Sequence, residues 1–112
     1  MPSRYRLSRA DFTRMRGFRR LQGQLFSLSY GTIPERSSAG AAIVVSKKIA
    51  ADAVDRNRIK RRSRAIMGRF LPSLRAPIVL VVIAKKGASE AAFDEFALDL
   101  ENLIQRATRE NK

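Results

Sequence analysis

The chain has 112 residues, enough for one domain with a single core, and its lack of cysteine and histidine excludes disulfides, thiolate nucleophiles, zinc-thiolate sites and imidazole acid/base chemistry. Its formal net charge of +13 lies wholly in the first part, since residues 1–69 carry 17 basic and four acidic side chains and residues 70–112 carry six of each. The longest apolar run, residues 78–84, is far short of the roughly 20 residues of a membrane helix, and the basic N-terminus has no apolar stretch behind it, so one cytoplasmic domain over residues 1–112 is expected.

Residues 1–6 are polar and basic and read as loose or extended. A short helix follows: Ser8 is its N-cap, Asp11 completes a capping box, Leu7 and Phe12 have staple spacing, and Gly17 is the expected stop. Leu25 to Tyr30 alternates as a half-buried strand, with Phe26, Leu28 and Tyr30 on one face and Leu25, Ser27 and Ser29 on the other. Its pattern leaves open whether strand structure begins as early as Phe18. Residues 31–40, rich in Gly, Pro and Ser, form a loop. Ala41 to Val45 reads as the next strand, paired with the previous one.

The basic stretch KKIAADAVDRNRIKRRSR, Lys47 to Arg64, holds eight of the 23 Lys and Arg residues. Its helix is expected to start at Asp55 as N-cap, with Val54 and Ile59 as staple. At 100° per residue Ile59, Ser63, Ile66 and Phe70 fall within an arc of about 60°, and Arg56, Asn57, Lys60, Arg61 and Arg64 within a neighbouring arc of about 140°. One helix thus offers a narrow buried stripe and a broad cationic face. Gly68 weakens its end, and Pro72 and Pro77 mark the loop beyond. Ile78 to Ala84, continuously apolar and largely β-branched, suits a central strand covered on both faces. After a turn, Ser89 is the expected cap of a last helix with Phe93, Phe96, Ala97, Leu100, Leu103, Ile104 and Ala107 at helical spacing. Helices on a small sheet make an α/β (α+β) two-layer sandwich.

A strong one-signed field favours a polyanion, most commonly nucleic acid, over simple solubility or adhesion to an anionic membrane. Arg supplies a planar donor fork for phosphate, Lys a compact charge and Asn a neutral donor and acceptor, all near a helix N-terminus. The stretch SKK at Ser46 to Lys48 with AVDRNRIKRRSR at Ala53 to Arg64 resembles the signature of the protein subunit of bacterial ribonuclease P. Leu7 to Phe12 is similar to that family's N-terminal helix entry, and VVIAKKGA at Val81 to Ala88 followed by Phe93 to its last strand, turn and helix.

The resemblance implies an α-β-β-β-α-β-α order with a left-handed β-α-β crossover, an architecture shared with a ribosomal-protein domain. It also implies a ribonucleoprotein endonuclease. In it, this subunit joins a catalytic RNA that uses Mg²⁺ to remove the 5′ leader of precursor tRNA, with no catalytic residue and no metal site on the protein and no obligate protein partner. On that basis Lys47, Lys48, Arg56, Asn57, Arg58, Lys60, Arg61 and Arg64 contact the catalytic RNA. Phe12, Arg16, Phe26, Leu28 and Tyr30 line the cleft for the single-stranded leader. The chain departs from the family in having Arg16 where a second aromatic is common, and AGAAIVV at the entry to the strand before SKK. Phe12 is open to two roles, staple residue or stacking partner for a base. Asp52 and Asp55 fit capping better than metal binding, because two isolated carboxylates do not make the cluster that two-metal chemistry needs. The competing functional classes are a structural RNA binder such as a ribosomal protein, a DNA-binding regulator and a stand-alone nuclease. The regulator lacks helix-turn-helix spacing and the nuclease lacks an acid/base or metal constellation.

Overall fold

A computed structural model describes residues 3–110; Met1 and Pro2, which belong to the segment expected to be loose, lie outside the described residues. The elements are α1 (Arg9–Arg14), β1 (Arg16–Gln22), β2 (Phe26–Thr32), β3 (Gly40–Val44), α2 (Ala53–Phe70), β4 (Ile78–Ala84) and α3 (Phe93–Glu110). This is the α-β-β-β-α-β-α order. The four strands form one sheet in the order β1-β2-β4-β3, antiparallel except for the parallel β3·β4 pair, which α2 connects.

The expected pairing of the strand ending at Tyr30 with the strand after the loop does not occur. β4 lies between them, matched with β2 over Ile78–Ala84 and with β3 from Val79 to Ile83. A run of seven apolar residues is stabilised most where both of its edges are hydrogen-bonded and both of its faces covered. The connection after β2 is long enough to step over one strand. Strand structure does begin before Phe18, as a separate β1 joined to β2 through a short turn.

Alternation sets two sheet faces. Leu21, Phe26, Leu28, Tyr30, Ala41, Ile43, Ile78, Leu80, Val82 and Ala84 join the core with Ile59, Ile66 and Met67 of α2 and Phe96, Leu100, Leu103, Ile104 and Ala107 of α3. Phe26 meets Phe96 edge-on at 4.8 Å between ring centroids. The second face carries Arg20, Ser29, Val81 and Ala42 in one cross-strand row and Gln22, Ser27, Ile83 and Val44 in the next. Val79 and Val81 are buried on it, because the N-terminal segment crosses there. Arg6 bridges Ala41 beside β3, a Cβ on Gly40 would meet the Leu7 side chain, and the chain reaches β2 at the Arg16·Thr32 pair. Tyr5 is buried, so the entry to α1 is anchored rather than loose.

Helix boundaries depart from expectation in three places. α2 begins earlier, with Asp52 as its cap accepting from the Val54 N–H at 2.9 Å, so Asp55 falls in the first turn and Val54 is exposed. α3 begins at Phe93, four residues after Ser89, and Phe93 is about half exposed and Ala97 partly buried, while Phe96, Leu100, Leu103, Ile104 and Ala107 are buried. α1 ends at Arg14 with Met15 as its C-cap. Gly17 instead sits with φ +68° at an irregularity between Arg16 and Arg19, where the Arg16 carbonyl lies against Gly31 and leaves no room for a side chain. Ser63 is on the buried stripe as expected, and its hydroxyl is one buried polar atom without a partner.

Two carboxylates hold distant parts together. Asp99 of α3 accepts from the backbone N–H groups of Gln24, Leu25 and Phe26 at 2.9, 3.0 and 3.1 Å, pinning the β1–β2 turn to the helix layer. Asp11 completes the capping box with Ser8 and faces the Arg36 guanidinium at 3.4 Å. Arg36 also donates to the carbonyls of Arg4, Ser38 and Ala39, tying α1 to the loop before β3. The Ser8 backbone N–H, donating at 2.7 Å, holds the Asp11 carboxyl below its ordinary pKa, with smaller help from the Ser8 hydroxyl, Arg36 and Arg14 against the opposing cost of desolvation.

Asp99→Ala should lower unfolding free energy by about 2–3 kcal/mol, since three amide donors lose a charged acceptor, and a change within ~0.5 kcal/mol in urea melts would show that the turn does not need it. Because the folded pKa of Asp11 is depressed, its contribution is complete above the ordinary carboxylate value of about 3.9 and is lost as pH falls through the folded value. The Ser8 amide proton resonance should therefore titrate with a midpoint below that value and lose its titration in Asp11→Asn.

Candidate nucleic-acid interface

The basic face of α2 divides into two sets of side chains. Arg56 donates to the carbonyls of Ala50 and Ala51 at 2.9 and 2.7 Å and so fixes the loop that enters the helix. Arg58 donates to the Ser89 carbonyl at 3.1 Å and pairs with Asp55 at 3.2 Å, joining α2 to the turn before α3. Arg62 lies 5.6 Å from the Phe93 ring centroid, a second link between the same elements. These three arginines shape the interface more than they offer free charge.

Asn57, Lys60, Arg61 and Arg64 form the second set. They recur at i, i+3, i+4 and i+7 along one side of α2, and among the described residues none has a side-chain hydrogen bond or ion pair. Lys47 and Lys48 are exposed in a turn closed by Ile49 and Ala50 N–H groups on the Ser46 carbonyl, and Arg56 holds the loop behind them. The six residues present uncompensated cations and an amide on a rigid scaffold, the arrangement that suits a folded phosphate backbone.

Beside this stripe runs a groove of about 620 Å³, lined by Arg6, Leu7, Arg9 and Phe12 from the N-terminal segment, residues 41–45 of and after β3, and Lys60 and Arg64 of α2. Phe12 is 40% exposed and lines the groove, so part of its ring is accessible from it. Lys60 and Arg64 therefore serve the helix face and the groove alike. A cationic cleft with one accessible aromatic ring fits a single strand, whose phosphates and base faces need those two kinds of contact.

The cleft expectation needs correction at four residues. Phe26, Leu28 and Tyr30 are almost wholly buried against the helices, so they cannot touch a strand in the groove. The strand does alternate with a period of two, but its apolar set belongs to the core and Ser27 and Ser29 point to the second face. Arg16 is exposed at the start of β1 and is not among the groove residues. The residues missed were Arg6, Arg9, Ala42 and Val44. Arg9 stands three residues before Phe12 on the same side of α1, a spacing that could have marked it; Ala42 and Val44 emerge only from the strand order.

Asp52 is occupied as a helix cap, Asp55 by Arg58, and no cluster of three or more metal-ligating side chains occurs among the described residues. No helix among those residues is long and apolar enough to cross a membrane.

A model of the Ribonuclease P family matches residues 1–108. A ribonuclease P protein component of Acidothermus cellulolyticus is 37% identical over 112 residues, covering 97% of this chain and 92% of that protein. One from a Pseudanabaena strain is 42% identical over 65 residues, 58% of this chain, and the match spans only 56% of the relative's length. Among solved structures, the Staphylococcus aureus RNase P protein superposes with a TM-score of 0.80 at 27% identity, over 92% of this chain and 94% of the other. That of Thermotoga maritima gives 0.75 at 29% identity, over 90% and 96%. The sheet order, the unpaired stripe of α2 and a family match that takes in both the stripe and the groove lead to one assignment: the chain belongs to the ribonuclease P protein family.

Proposed function

We propose that this chain is the protein subunit of a ribonuclease P holoenzyme that removes 5′ leaders from precursor tRNA. The observation that carries the reading is the unpaired stripe Asn57, Lys60, Arg61 and Arg64, which runs beside a groove holding an accessible aromatic ring. In this reading Lys47, Lys48 and the stripe bind the catalytic RNA, while Arg6, Arg9, Phe12, Lys60 and Arg64 hold the single-stranded leader. The chain supplies binding and orientation, and its field concentrates both RNAs at the same surface. Mg²⁺ supplies charge stabilisation at the scissile phosphate when bound. The two acids of the basic stretch are engaged with the Val54 N–H and Arg58, and in this reading the ion is assigned to the RNA.

Arg56 and Arg58 act here through architecture, keeping the Lys47–Lys48 turn and α2 in register with the rest of the surface. They approach RNA only with whatever donors those carbonyls leave free.

The reading is tested by leader cleavage with a bacterial ribonuclease P RNA at limiting Mg²⁺, with no protein, the native chain, or a chain carrying Lys60→Ala, Arg61→Ala and Arg64→Ala. Stimulation by the native chain and its loss in the triple variant are expected; a folded native chain that stimulates no cognate RNA would refute the reading. Each single substitution among those three should reduce the slope of log affinity against log salt by roughly 0.7–0.9, with the melting curve unchanged. Arg56→Ala should behave differently, lowering stability by about 1–3 kcal/mol because two loop carbonyls lose their donor. A normal melt with a reduced salt slope would instead make Arg56 a direct phosphate ligand.

A further inference from the structure

The sheet has a second basic surface, at the edge opposite α2. Among the described residues β1 pairs only with β2, and from Arg16 to Arg20 every residue is exposed. The side chains of Arg16, Arg19 and Arg20 have no hydrogen bond or ion pair among the described residues, and no acidic residue occurs between Asp11 and Glu35. Phe18 stands among them at 54% exposure. Arginine on an edge strand has a plain explanation, since charge deters unwanted strand pairing, and the irregularity at Gly17 does the same. Neither explains the phenylalanine, because an exposed aromatic ring promotes the association that the charges oppose.

We propose that β1 is a distal contact for the single-stranded 5′ leader, with Phe18 stacking on a base and Arg16 and Arg20 taking the flanking phosphates. This rests on the reading of the chain as a leader-binding subunit and extends it to a surface outside the groove. The path follows from the topology. α1 starts beside β3, where Phe12 lines the groove, crosses the second sheet face and delivers the chain to Arg16 at the far edge. The two edges are three inter-strand spacings apart, about 14 Å, a gap that a few nucleotides of extended strand cover. A strand leaving the groove along α1 meets Arg16 first and Phe18 next. An incoming β-strand is the poorer fit, because the bulge breaks the straight row of backbone donors and acceptors that strand addition uses.

The test uses the reconstituted holoenzyme and precursor tRNAs with leaders of about 4 and about 15 nucleotides, spanning the range of a single-strand site. Phe18→Ala should weaken binding of the long-leader substrate by roughly 5- to 20-fold and that of the short-leader substrate by less than about twofold, as expected for loss of one stacked base. Phe18→Trp, in a chain with no other tryptophan, should retain the affinity and show fluorescence quenching with the long leader only. Equal losses for both leaders, no loss for either, or a loss in binding the catalytic RNA without substrate would each overturn the proposal. So would sedimentation showing that Phe18→Ala merely abolishes self-association. Quenching of Phe18→Trp by a free single-stranded RNA oligonucleotide reads β1 without cleavage. A chain that quenches but never stimulates cleavage keeps the β1 site and loses the holoenzyme reading; absence of quenching by the oligonucleotide overturns the site itself.

Discussion

β4 is apolar at every position from Ile78 to Ala84, and a strand of that composition is stable only with a neighbour on each edge and cover on each face. Much of the architecture follows from satisfying it. β2 takes one edge in antiparallel register and β3 the other in parallel register. A parallel neighbour requires a crossover, and α2 is that crossover. α2 and α3 cover one face, so the second face is left to the N-terminal segment. The groove forms where that segment, β3 and α2 meet, and the basic helix lies beside it because it is the element that joins β3 to β4.

Charge on this chain is consequently of two kinds. Arg36, Arg56, Arg58 and Arg62 spend their guanidinium donors or ring contacts inside the protein, each linking segments distant along the chain or fixing a loop. Among the described residues, the side chains of Asn57, Lys60, Arg61 and Arg64, with Lys47 and Lys48, have no such engagement. A planar guanidinium reaches several carbonyls at once, whereas a lysine ammonium is a compact, strongly hydrated charge that stays in water until a phosphate arrives. The signature stretch is therefore both scaffold and contact surface, and its arginines are not equivalent to one another.

The sequence carried the local features well. The Ser8–Asp11 capping box, the period-two strand around Phe26, the buried stripe of α2 at Ile59, Ser63 and Ile66, the central β4 and the apolar stripe of α3 from Phe96 to Ala107 are all present. These depend on residue type and spacing within one turn or one strand. Helix starts were less legible. Asp52 and Asp55 are equally good caps by type, and Asp52 takes the role where the chain leaves the turn that Arg56 holds. Ser89 has the residue type of a cap, yet its carbonyl serves Arg58 and the helix begins four residues later.

By itself the sequence determined the helices, the strand around Phe26 and the apolar β4, the apolar stripes, the concentration of charge in the first 69 residues and, through the RNR helix and its SKK entry, the family, whose resemblance in turn implied the full element order. The tertiary structure alone decided which strands are neighbours, and hence that Phe26, Leu28 and Tyr30 face the core while Ala42, Val44 and Phe12 share the groove side with Lys60 and Arg64. It also decided which arginines remain free. Both outcomes have one physical reason: strand order and side-chain partnership depend on contacts between residues tens of positions apart, and those are selected by burial and hydrogen-bond satisfaction over the whole molecule rather than by local periodicity.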